Sequence, residues 1–343
     1  MKTTFFKTIA CVAVLAATLS CQNRPSLLPN ISGKAGEIVV VMDKNEWEGV
    51  LGDTVRELLG QDCPYLASRE PMYTLVNVSV GGFMDMFKIH RNILIFNITP
   101  AVEKEGLIYQ NNAWAQPQRI IQVNARDADS AMALVLENDE RIMEAFEQAE
   151  RDRIIQNSKQ YEEGALAEAV KERFGGSPHF PVGYKFKKVT DDFVWIADVR
   201  QYTQQHVLIY RFPADEKENF TVENLVAKRN AILQSEVPGQ REDSWMTTSE
   251  YIETTLEFKR FRGLQFAELR GYWEVYNDYM GGPFVLHAFY SQDASEIIVL
   301  DAFVYAPRYD KRQYLRVVES IIYSFEWEKS AADEASEEAE GAA

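Results

Sequence analysis

Cysteine is scarce: three in 343 residues, at positions 11, 21 and 63, with no CxxC pair. That excludes a disulfide framework and a structural zinc site of the usual spacing. The four histidines, His90, His179, His206 and His287, are far apart and make neither HxH nor HExxH, so no metal site is expected. Neither a Walker A loop nor GxGxxG occurs, and Gly281-Gly282-Pro283 sits between two strand patterns rather than opening a helix. No nucleotide and no cofactor is expected. No GxSxG elbow marks a serine nucleophile, and Cys63 in QDCPYL lacks the flanking signature of a thiol enzyme. Positive charge is also short: 36 Lys plus Arg against 52 Asp plus Glu leave −16. Binding to a phosphate backbone relies on Lys and Arg displacing counterions, so nucleic acid is an unsuitable partner. What is plentiful is apolar surface, with 46% hydrophobic residues and 12% aromatics, enough for one or two cores.

The N-terminus reads as an address. Lys2 and Lys7 precede an apolar run from Thr8 to Leu19, followed by Ser20 and Cys21. About 12 apolar residues are too few for a bilayer span, which needs roughly 20. Ala17-Thr18-Leu19-Ser20-Cys21 resembles a bacterial lipobox, which implies lipidation of Cys21 and cleavage just before it. Losing residues 1–20 removes Lys2 and Lys7 and no acid, taking the net charge from −16 to −18. Residues 21–36 then form a flexible tether.

The body reads as α+β, in two modules of mainly antiparallel sheet packed with helices, spanning 37–176 and 177–328. In the first, Glu37 to Met42 is a continuous apolar run suited to a strand covered on both faces. A helix follows from Trp47 to Leu59, with Gly60 as a left-handed cap, then strands at 72–80, 92–98 and 118–124. Asp127 opens a long helical stretch that Asn138 or Asn157 can break, and a further helix ends at Gly175. In the second module, strands at 184–189, 193–199 and 205–212 lead to a helix from Thr221 to Glu236. Strict alternation from Ile252 to Phe258 and from Ala267 to Val275, about a turn at Arg262-Gly263, predicts a hairpin with one wet face. Strands 284–290 and 296–305 extend the meander, and Asp310 caps a last helix. Both modules end in a strand, an acidic turn and a helix finishing in Phe, which suggests an internal duplication. After Glu328 the Ala- and Glu-rich tail, 329–343, carries five acids from Asp333 to Glu340 and is expected to be disordered.

HRNILIF (His90 to Phe96), NAWAQPQ (Asn112 to Gln118), DFVWIAD (Asp192 to Asp198) and YMGGPFV (Tyr279 to Val285), together with Cys21, resemble an uncharacterised family of Bacteroides-type lipoproteins, a domain of unknown function. The resemblance implies no activity and no catalytic residue. It implies a cell-envelope, outer-membrane lipoprotein, and Gln22-Asn23-Arg24 in place of an acidic export run turns the body toward the periplasm.

Two features bear on chemistry. Glu257 and Glu268 oppose each other across the expected hairpin at a spacing a glycosidase could use, but Lys259 and Arg270 beside them suit a solvated sheet face. Tyr276, Asn277, Asp278, Tyr279 and Phe284 gather rings and polar groups around a turn, a candidate for binding a glycan or an envelope protein. No catalytic residue is assigned. The expected role is non-catalytic binding or scaffolding at the membrane, held by a lipid on Cys21. An envelope hydrolase acting on glycan or peptidoglycan and a carrier of an apolar ligand are the alternatives.

Overall fold

The computed structural model describes residues 27–214 and 219–328. Cys21, the leader and the acidic tail lie outside the described residues. The first sheet has the order β2-β1-β3-β5-β4, built from β1 (Glu37–Val41), β2 (Thr74–Val78), β3 (Asn92–Ile98), β4 (Gly106–Asn111) and β5 (Arg119–Ala125). Only β4 pairs antiparallel here; β1 pairs parallel with β2 and β3, and β3 with β5. The antiparallel expectation therefore fails in this half, for a reason visible in the sequence. β1 and β3 are apolar on both faces, and the chain between β1 and β2 and between β2 and β3 is helical in part, the arrangement that favours parallel pairing, whereas β3 reaches β5 by way of the edge strand β4. Ile38, Val40, Leu94, Phe96, Ile121 and Val123 face the helices on one side, while Val39, Val41, Ile93 and Ile120 meet Phe83, Phe87 and Trp114 on the other.

The expected helix from Trp47 to Leu59 is two helices, α1 (Lys44–Trp47) and α2 (Val50–Leu59), because the chain is extended at Gly49. Gly60 ends α2 at φ −96°, so it needs no left-handed freedom. After α3 (Asp85–Lys88), Asp127 caps α4 (Ala128–Glu137) by accepting from the Ser130 amide at 2.8 Å. Asn138 breaks the stretch as expected, and α5 (Asp139–Gln160) follows. The expected tether also ends early. The Gln116 amide donates to the Pro29 carbonyl at 2.9 Å and the Ser32 amide to that of Ile89 at 2.8 Å, so residues 29–36 are laid against the body.

The second sheet is antiparallel throughout. Its order is β10-β12-β13-β14-β9-β8-β7, with β11 also paired to β12. The strands are β7 (Lys185–Val189), β8 (Phe193–Val199), β9 (Gln204–Pro213), β10 (Met246–Thr248), β11 (Thr255–Phe261), β12 (Leu264–Val275), β13 (Gly281–Tyr290) and β14 (Glu296–Tyr305). α6 (Gly164–Phe174) stops at Gly175, which is left-handed at φ 72°; β6 (Gly176–Ser177) then pairs with β15 (Glu326–Trp327). α7 (Val222–Glu236), capped by Thr221, covers one face through Leu225 and Leu233 against Leu208, Leu286 and Val299. α8 (Arg312–Tyr323) covers the other through Val318, Ile321 and Ile322 against Ile209, Val285 and Leu300. Lys311, not Asp310, holds the position before α8, with no side-chain cap.

Covering both faces overturns the one-wet-face reading of the hairpin. Phe266, Ala267, Glu268 and Leu269 are all buried, whereas Phe258 is 73% exposed. Nor does the topology repeat. β5 and β14 each lead through a turn to a helix, but β5 sits in a mostly parallel sheet and β14 in an antiparallel one. The shared endings are a local likeness. The halves are joined by α5, whose Ile142 and Phe146 enter the first core and whose Ile155 enters the second.

Candidate anion-binding cleft

α5 and α8 meet through side chains spaced along one stripe of each helix. Glu147 and Arg151 are four residues apart on α5; Arg312, Arg316, Glu319 and Tyr323 recur at three and four on α8. Arg316 pairs with Glu147, and Arg151 Nη2 with Glu319 Oε1 at 3.0 Å. Arg270 of β12 reaches Glu319 at 2.9 Å and Glu268 at 2.7 Å. Glu268 also receives Lys259 at 2.7 Å, His287 Nε2 at 3.1 Å and the Tyr323 hydroxyl at 2.7 Å. The Arg151 guanidinium lies 3.9 Å from the centre of the Tyr323 ring.

Burial opposes ionisation of Glu319, but Arg270 and Arg151 outweigh it and hold the carboxyl down to about 2. Burial acts likewise on Glu268, and Arg270 with the His287 bond keeps it well below the usual carboxylate range. Burial pushes His287 down as well, against the pull of Glu268, so its neutral ring donates through Nε2. A depressed carboxyl stabilises fully above its unfolded pKa, about 4.3, and that contribution is lost as pH falls through the folded value. Thermal unfolding of the wild type should therefore hold steady from neutral pH to about 5 and weaken toward about 2. In calorimetry Glu319→Gln should start less stable and lose less over that window; parallel curves would remove Glu319 from the acid response.

Above this network a cleft of about 900 Å³ opens between α5, the loop from Cys63 to Met72, β11, β12 and α8. Eight Lys and Arg line it against four Glu, in a chain of net charge −16. The guanidinium groups of four of the eight, Arg119, Arg141, Arg260 and Arg312, form no ion pair among the described residues; that of Arg141 donates to Asn138 Oδ1 at 3.2 Å and that of Arg312 to the Pro71 carbonyl, while the Arg312 amide donates to Glu70 at 2.8 Å. The buried Nε atoms of Arg119 and Arg151 have no hydrogen-bond partner there either. Burial and neighbouring Arg316 both push the Arg312 guanidinium below its usual pKa, the sign of a cation held against its own kind. Met72, Met143, Tyr65, Phe258 and Phe261 give the cleft an apolar side. Of these four, Arg119 and Arg312 are half-buried and Arg141 and Arg260 exposed, and guanidinium groups so placed beside apolar side chains have the chemistry to hold an anion with some apolar body. Cys63 is on the wall, but burial raises its thiol to about 12, so it stays protonated at neutral pH and is a poor nucleophile.

The residues singled out from sequence lie elsewhere. Tyr276 stacks on Trp245 with centroids 4.5 Å apart, Asn277 turns at φ 62°, Asp278 pairs with Arg241 at 3.4 Å, and Tyr279 is 97% exposed. These four stand at the turn between β12 and β13, the opposite end of β12 from the β11–β12 turn. Phe284 is not with them: it is 1% exposed, packed in the core with Arg229 3.9 Å over its ring. Glu257 and Glu268 do oppose each other, but Lys259 bridges both, at 3.1 and 2.7 Å. The histidines do not converge; His206, for one, is buried, driven down to about 3, and accepts from Trp195 Nε1 at 3.0 Å. Among the described residues no group of three or more His, Cys, Asp or Glu could hold a metal ion. The arginines of the cleft escaped sequence reading because they span 119 to 316 without a motif; the stripe on α8 was the one available signal.

Residues 31–159 match the family model described as Domain of unknown function (DUF8532), and residues 163–324 match Domain of unknown function (DUF4837). No curated protein matches. A crystal structure from Bacteroides thetaiotaomicron VPI-5482 aligns at 9% identity over 46% of this chain and 46% of its own, with a TM-score of 0.26. The chain thus spans less than half of that protein. From residue 31 to residue 324 it joins, one after the other, two regions similar to families whose function is unassigned.

Proposed function

We propose that this is a lipid-anchored cell-envelope protein that works by non-catalytic binding, and that the basic cleft takes its ligand, an anion. The anchor rests on Cys21 at the end of the apolar leader, and the placement at the periplasmic face of the outer membrane rests on the residues that follow it. The cleft carries the reading: four guanidinium groups that form no ion pair among the described residues line one cavity of an otherwise acidic chain. The hydrolase alternative is less favoured because Glu268 and Glu319 are held ionised by arginine, which disqualifies them as proton donors. The apolar-carrier alternative meets close packing between sheet and helix, where Val318, Ile322 and Phe289 fill the space.

Titration of the full chain with inorganic pyrophosphate and with citrate tests the reading. Binding should appear in calorimetry at low salt and weaken markedly near 0.5 M NaCl, where the screening length is only about 4 Å. The Arg119→Ala/Arg141→Ala variant should bind at least about tenfold more weakly, since each charge-assisted contact is worth about 1.5–3 kcal/mol. If neither anion binds, or the variant binds as the wild type does, the proposal fails.

A further inference from the structure

We infer that the open edge of β11 is a strand-addition site for an extended acidic peptide segment of a partner protein. This rests on the anion-binding reading of the cleft and adds the class of ligand. Among the described residues β11 pairs with β12 and with no other strand. Arg262 and Gly263, at φ 45° and 89°, make the two-residue turn that closes the hairpin on the pair Phe261 and Leu264. Counting back along the alternation from that hydrogen-bonded pair, the main-chain N–H and C=O groups of Leu256, Phe258 and Arg260 point away from β12. No backbone partner for them occurs among the described residues.

This edge runs past two cavities rather than open surface. The cleft of about 900 Å³ takes in Glu257 to Phe261; a second cavity of about 930 Å³ takes in Arg260 and Arg262 to Gln265, with Trp327 and Lys171 opposite. Arg260 lines both. Seven strand residues span about 24 Å, room for a peptide of similar length. Edge strands are commonly blunted by charge, and β7 shows it, with three lysines on an edge outside both cavities. β11 differs because its cations, Lys259 and Arg260, line cavities, Arg260 has no ion-pair partner among the described residues, and Phe258 just before them is 73% exposed. Free main-chain donors and acceptors select a peptide over an inorganic polyanion, the guanidinium groups select acidic side chains, and Phe258 favours an apolar residue between them.

The test is fluorescence anisotropy of the full chain with a labelled seven-residue peptide of alternating glutamate and valine. Binding is expected, with at least tenfold loss when alternate peptide amides are N-methylated and at least tenfold loss in Arg260→Glu. Arg260 is exposed and forms no ion pair among the described residues, so that variant should keep the wild-type melting temperature. Equal binding by the N-methylated peptide, or unchanged affinity in Arg260→Glu, overturns strand addition. Binding that appears only after residues 329–343 are removed would make the chain's own acidic tail the occupant, and a dimer in sedimentation that Arg260→Glu dissolves would make it a second copy; either overturns the partner peptide. Pyrophosphate binding without peptide binding sinks this inference alone, whereas loss of both sinks the cleft reading too.

Discussion

Arg229→Met is expected to lower the unfolding free energy by about 3–5 kcal/mol in urea titrations near neutral pH. Both Arg229 of α7 and Asp301 of β14 are wholly buried, joined through Nε and Oδ2 at 2.8 Å. Arg229 Nη1 also donates to Thr248 Oγ1 at 2.9 Å. Removing the cation leaves a carboxylate in an apolar sheet face with nothing to offset its lost hydration. Burial already pushes Asp301 up even with Arg229 beside it. In the variant the folded protein should therefore hold a proton that the unfolded chain releases, and its deficit should shrink as pH falls from 8 to 5. Arg229→Met/Asp301→Leu, which removes both charges, should recover most of the loss. A single variant within about 1 kcal/mol of wild type would mean that the pair is not what holds α7 to the sheet.

Arg270→Met should cost a similar amount, about 3–5 kcal/mol, by a different route. Arg270 stands between two buried carboxylates, Glu268 and Glu319, and is the largest cause holding either one ionised against burial. Without it their mutual repulsion is opposed by Lys259 on one and Arg151 on the other. The loss should be greatest at neutral pH and diminish toward pH 4, where a proton can replace the missing cation. Calorimetry at pH 7 and pH 4 measures both values; an equal deficit at the two would point to lost packing alone.

These two sites show where sequence reading reaches its limit. The alternation along β12 places Glu268 and Arg270 where a solvated face is expected, because a buried ionic network and a wet surface have the same residue pattern. The difference lies in α8, whose Glu319 and Tyr323 bring partners to that face from some fifty residues away. Continuous apolar runs such as Glu37 to Val41 and β14 were readable, since burial on both faces demands them. β4 and β10 were missed because one is a half-exposed edge and the other spans three residues. Phe284 was misplaced because a ring following a Gly-Gly-Pro turn reads as part of the loop, whereas β13 begins at Gly281 and carries it into the core. The cleft was illegible because its cations converge only after two sheets are docked on one helix.

That helix, α5, gives the molecule a single axle. Ile142 and Phe146 are gripped at one end and Ile155 at the other. Rotating one sheet against the other would mean withdrawing a side chain from a filled interior, so the slot between them keeps its width and shape. A cut just past Gln160 would leave Ile155 on a helix parted from the sheet it serves.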